Sequence, residues 1–143
     1  MASVYRSALV EYSSEQMFDL VNDIEKYPSY MQGCKEATVI GQRENELTGK
    51  LVLKKAGIKQ EFTTLNRLNR PYSIDMELVE GKFKHFSSRW TFESLAQNAC
   101  KVSLHMEFEF DLSLVDFAAE KLLSSSANSL VDSLVTRAKQ VYG

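Results

Sequence analysis

From Cys34 to Asp111 apolar and polar residues alternate along the chain. The clearest run sets Val102, Leu104, Met106, Phe108 and Phe110 against Ser103, His105, Glu107, Glu109 and Asp111. A period of two puts these sets on opposite faces of a strand, one dry and one wet. Phe86, Ser88, Trp90 and Phe92 alternate in the same way with His85, Ser87, Arg89 and Thr91, and Ile74, Met76 and Leu78 with Asp75 and Glu77. Leu47, Leu51 and Leu53 share one parity, and Lys50 and Lys54 the other. Ala56-Gly57 marks a hairpin between Leu51–Lys55 and Ile58–Arg67, Arg70-Pro71 ends the second of these strands, and Gly81 turns the chain again. Residues 3–11 read as one more strand.

Two stretches change the period. Ser13-Ser14-Glu15-Gln16 fits a capping box, and Met17, Leu20, Val21 and Ile24 follow at helical spacing. Pro28 predicts a break at Tyr27, with a short second turn around Glu25–Met31. After Asp111, Val115, Ala118, Ala119, Leu122, Leu123, Ala127, Leu130, Val131, Leu134, Ala138 and Val141 form one helical stripe, uninterrupted by proline or glycine over Leu114–Tyr142. Such a helix is on the order of 40 Å long. The pattern predicts an α+β fold: about seven antiparallel strands whose apolar face curves around a long C-terminal helix.

The chain has 143 residues, 44% of them hydrophobic and 25% charged, which suits one domain over residues 1–143. A net charge of −2 argues against a generic DNA-binding protein, though not against a local basic patch. Cys34 and Cys100 match no metal or redox spacing and read as reduced thiols. Met1–Arg6 shows no signal or transit pattern, and no apolar run approaches the ~20 residues of a membrane span. The expected compartment is the cytoplasm.

Candidate chemistry is sparse. His85 and His105 fall on the wet parity, and no nucleophile elbow, metal-binding histidine pair or phosphate loop occurs. No cofactor is called for, and no catalytic residue is assigned. The concave parity is more informative. Met76, Phe86, Trp90, Phe92, Leu104, Met106 and Phe108, with Leu123 and Ser126 from the helix, predict the wall of an apolar cavity, and Tyr27, Tyr30 and Met31 its mouth. The serines around Ser126 either meet a ligand's polar head or face water. Lys50, Lys54, Lys55 and Lys59 flank the Ala56-Gly57 turn; such a tip either meets phosphate or is a solvated edge.

Val21-Asn22-Asp23-Ile24-Glu25-Lys26-Tyr27-Pro28 followed by Cys34, Gly81 with Phe83, Trp90-x-Phe92, and the ending Arg137-Ala138-Lys139 with Val141-Tyr142-Gly143 together resemble the coenzyme Q-binding, START-like family of the polyketide cyclase superfamily. Ala8-Leu9-Val10, Glu15-Gln16-Met17, Lys55-Ala56-Gly57-Ile58, Phe62-Thr63-Thr64 and Phe108-Glu109-Phe110 are similar to its short bacterial branch of ribosome association toxins. Gln32-Gly33 and Lys82 depart from the family's usual Pro-Trp and proline. The resemblance implies a helix-grip fold. It implies non-catalytic binding of ubiquinone or a similar isoprenoid lipid, with transient contact at a membrane surface. As an alternative it implies binding to the large ribosomal subunit that blocks subunit joining, with Lys50, Lys54, Lys55 and Lys59 as the contact. An aromatase or cyclase would need an acid or base in the cleft, and the strand parities supply none.

Overall fold

The computed structural model describes residues 2–113 and 117–143. Strand β1 (Ala2–Val10) leads into helix α1 (Ser14–Asn22) and a 3-10 turn (Ile24–Ser29). Six strands follow: β2 (Cys34–Arg43), β3 (Glu46–Lys55), β4 (Ile58–Asn69), β5 (Ser73–Glu80), β6 (Phe83–Ala96) and β7 (Ala99–Phe110). Helix α2 (Phe117–Tyr142) ends the chain. The expected helix start at Leu114 and the apolar position Val115 lie outside the described residues.

All pairings are antiparallel, in the order β1-β7-β6-β5-β4-β3-β2. The strands β1 and β2 form the two edges. Register shifts in β2, in β5 where it meets β4, and at both ends of β6 insert extra residues, and such bulges bend a sheet. The bent sheet wraps α2, which packs against β1, β7, β4 and β3. This is the helix-grip arrangement.

Local sequence explains the short elements. The amide of Gln16 donates to Ser13 Oγ (3.1 Å) and the amide of Ser13 donates to Gln16 Oε1 (2.9 Å), closing the expected capping box. Helix α1 buries Met17, Phe18, Leu20 and Val21. It ends at Asn22, five residues before the predicted break, and Pro28 sits inside the 3-10 turn instead. The Tyr27 hydroxyl donates to the Val21 carbonyl, one of the acceptors a helix end leaves without an internal partner. That bond lets the chain leave the helix early.

The predicted parities set the core. Cys100, Val102, Leu104, Met106, Phe108 and Phe110 of β7 are all buried, as are Phe86, Trp90 and Phe92 of β6. Helix α2 contributes Ala119, Leu122, Leu123, Ala127, Leu130, Val131, Leu134 and Ala138. Val141 departs from the expected stripe and is exposed. Its neighbour Tyr142 turns inward, donating its hydroxyl to the Gln16 carbonyl (2.8 Å) and packing on Tyr12. At the β2 edge the amide of Val39 donates to Glu25 Oε2 (3.2 Å), which blocks part of an edge that would otherwise invite another strand.

Candidate functional site

The space between sheet and helix is far smaller than the curvature alone suggests. A cleft runs between the concave faces of β3 to β7 and the middle of α2, closed at one end by α1 and the 3-10 turn. Its cavity volume is about 60 Å³. Sites for drug-sized ligands run to roughly 300–1,000 Å³. The apolar cavity expected between sheet and helix is therefore small, because aromatic side chains occupy much of the concavity. At the end of the sheet near Gly81, Phe83 stacks on Phe110 (4.3 Å between ring centroids), and Phe62, Phe86 and Phe108 pack around it. Phe92 packs edge-on against Phe18 of α1 (5.6 Å).

These contacts sort the candidate residues. Tyr27, Met31, Met76, Trp90, Leu104, Met106, Leu123 and Ser126 line the cleft. Phe86, Phe92 and Phe108 lie on the concave face but belong to packed aromatic clusters and are not among the residues lining the cleft. Tyr30 stands behind Tyr27 (5.9 Å, edge-on), with the Arg137 guanidinium over its ring (5.4 Å). Among the serines near the helix middle only Ser126 faces the cleft; Ser129 instead donates to the carbonyls of Ser125 and Ser126.

The sequence reading missed the polar part of the lining. Thr64 and Asn66 of β4 are buried, and Thr64 Oγ1 donates to Asn66 Oδ1 (2.7 Å). Asn22 presents a buried Oδ1 without a hydrogen-bond partner among the described residues. Polar residues sharing the inward parity of Phe62 were the available signal for Thr64 and Asn66. Leu51, Leu53, Phe62 and Ile74 complete the apolar wall.

One glycine sets how closely the loop after the 3-10 turn approaches α2. Gly33 has φ +83°, and a Cβ there would stand 3.0 Å from Ser126 Oγ. Glycine lets this loop lie directly on α2 in that conformation. The Lys54 amide donates to the Gly33 carbonyl (2.9 Å) and ties the loop to β3.

Acid–base chemistry has little to work with here. No carboxylate, imidazole or amine lines the cleft among the described residues. Burial, reinforced by the nearby Tyr30, Cys34 and Asp23, pushes the Tyr27 hydroxyl above its ordinary range. Burial likewise raises Tyr30, partly offset by Arg137, and lifts the Cys34 thiol to about 11. All three stay protonated near neutrality. His85 and His105 are exposed on the convex face, where His105 meets Glu107 (3.3 Å) and the Tyr5 ring.

The four candidate lysines differ in their surroundings. Lys50 and Lys59 share Glu61 (3.7 and 3.2 Å). Lys54 lies directly across the ladder from Lys59. Lys54 and Lys55 carry no ion pair among the described residues, and all four are exposed.

Comparison with known proteins agrees with this architecture. The family model for polyketide cyclase / dehydrase and lipid transport matches residues 10–135. The chain is 43% identical to the ribosome association toxin RatA of Vibrio cholerae over 143 residues, all of this chain and 99% of that one. It is 39% identical to RatA of Escherichia coli K12, covering 99% of this chain and 90% of that one. A mitochondrial coenzyme Q-binding protein, COQ10 homolog B of Xenopus laevis, is 21% identical across 96% of this chain and 58% of its own length. Among solved structures, the ZhuI aromatase/cyclase from Streptomyces sp. R1128 superposes with a TM-score of 0.83 at 12% identity, over 99% of this chain and 96% of that one; the likeness is one of fold. The chain belongs to the polyketide cyclase / dehydrase and lipid transport family, in the START-like branch that contains the RatA proteins.

Proposed function

We propose that the chain is a non-catalytic, cytoplasmic protein that associates with the large ribosomal subunit and hinders its joining to the small one. The observation that carries this reading is the 43% identity to a ribosome association toxin along the whole of both chains. The geometry favours it as well. A cavity of about 60 Å³ has room for roughly four waters, far less than an isoprenoid tail needs. The cleft offers no acid or base for a cyclase. The reading requires no cofactor.

Cosedimentation tests it. Purified protein added to isolated subunits is expected to travel with the large subunit in a sucrose gradient and to deplete joined ribosomes. Protein left at the top of the gradient, with an unchanged ribosome profile, would overturn the proposal.

One observation favours a second reading, binding of a quinone or similar lipid. The cleft walls are apolar, and Met31, Met76 and Met106 contribute flexible side chains. Each methylene moved out of water is worth about 0.8 kcal/mol, enough to drive a modest opening. Met106→Glu places a charge in that wall and is expected to abolish copurification of quinone, read by mass spectrometry of an organic extract. A folded variant retaining its quinone would rule out this lining.

A further inference from the structure

A groove of about 610 Å³ lies on the outside of the sheet. It arises because neighbouring strands end at different heights. The ladder between β4 and β5 begins at Thr63 opposite Glu80, so β4 from Ile58 to Phe62 has β3 on one side and no strand on the other. The turn at Gly81-Lys82 forms the far wall. A Cβ on Gly81 would stand 3.0 Å from that of Phe62, so the turn lies directly against β4 and holds Lys82 in place.

Three lysines line the groove, Lys50, Lys59 and Lys82. Lys54, directly across the ladder from Lys59, and its neighbour Lys55 extend the basic surface, in a chain whose net charge is −2. The acidic members are Glu61 and Glu80. Glu61 is divided between Lys50 and Lys59, and both pairs are about half exposed. Exposed pairs of this kind contribute little and exchange readily for another anion. Lys54 and Lys59 oppose each other directly, an arrangement that costs stability unless an anion lies between them.

The backbone adds donors. Ala56 (φ 52°) and Gly57 (φ 81°) form a two-residue turn of the mirror-image type. That turn makes Lys55 and Ile58 a hydrogen-bonded pair, so alternate residues of β4 point the other way. Lys59 and Glu61 therefore direct their backbone groups into the groove.

We propose that this groove holds the sugar-phosphate backbone of ribosomal RNA, with Lys59 and Lys82 gripping phosphates from opposite walls and Lys50 and Lys54 beside them. The proposal rests on the ribosome reading above and names the surface that serves it. The contact proposed is from lysines to phosphates, so it is electrostatic and indifferent to sequence.

The test compares the full chain with Lys59→Ala/Lys82→Ala, binding isolated large subunits across a salt series. A control, Lys101→Ala/Lys139→Ala, removes the same charge elsewhere. The groove variant is expected to bind at least tenfold more weakly near 0.1 M salt. Its log–log salt slope should shrink by about 0.7–0.9 per lysine. The control should keep the parent's affinity within about threefold. Equal losses in both variants, or none in the groove variant, would overturn the groove and leave the ribosome reading standing. Failure of the parent to bind would overturn the ribosome reading itself. Binding of the parent to phosphatidylglycerol vesicles but not to subunits, lost in the groove variant, would reassign the groove to a membrane surface.

Discussion

Truncation of Leu104 to alanine probes whether the concavity is packed core or open pocket. Leu104 lies at the middle of β7, opposite Trp90, fully buried yet bordering the cleft. The change removes three carbons. At about 0.8 kcal/mol per buried methylene, transfer alone costs about 2.4 kcal/mol. The void left behind adds to this, and buried leucine truncations span about 2.7–5.0 kcal/mol according to how far the site relaxes. Met76 and Met106 flank the cleft and can swing into the gap, so the expected loss is about 2.5–3.5 kcal/mol. Equilibrium unfolding in urea measures it as a lower midpoint with an unchanged slope. A loss under about 1 kcal/mol would refute the reasoning, because it would mean that Leu104 lines a solvent-filled pocket in solution.

Other consequences are open to the same assay. Ser13→Ala removes the α1 cap and should cost about 1 kcal/mol; a neutral result would mean that the capping box does not hold α1 in solution. Asp75 is held below the usual carboxylate range chiefly by its hydrogen bond from Arg89. Its folded pKa is lowered, so its contribution is present above the unfolded value near 3.9 and fades as pH falls through the folded one. Both side chains are about half exposed, which limits the effect to under about 1 kcal/mol; Asp75→Asn should flatten the acid limb of the stability profile slightly, and an unchanged limb would contradict the pairing. Cys34 and Cys100 are buried thiols, and burial raises Cys34 to about 11. At pH 8 about 0.1% of Cys34 is thiolate, so a disulfide reagent should titrate both thiols quickly only in denaturant. Rapid native labelling would show a more open structure.

The fold was legible because its strands declare a wet and a dry face. The dry set of β7 is buried without exception, and the Ala56-Gly57 hairpin falls where the sequence places it. The end of α1 was not legible, since it depends on a side chain: the Tyr27 hydroxyl takes over the Val21 carbonyl and lets Pro28 sit in a tighter turn. The cleft was half legible for a related reason. Alternation tells which face a residue occupies but not how far along the strand packing leaves room. Phe86, Phe92 and Phe108 share the face of Trp90 and Met106 yet pack against Phe83, Phe18 and Phe110. The basic residues beside the groove were legible, Lys50, Lys54, Lys55 and Lys59 flanking the Ala56-Gly57 turn, but the groove was not, because it comes from unequal strand lengths, β4 outrunning β5.

Subunit joining followed by light scattering, with protein stripped of bound lipid by organic extraction and refolding, tests the central claim most directly. The account predicts that the stripped chain still slows joining and that added quinone changes nothing. Joining at the uninhibited rate until quinone is restored would contradict it, and would make the interior, rather than the surface, the seat of function.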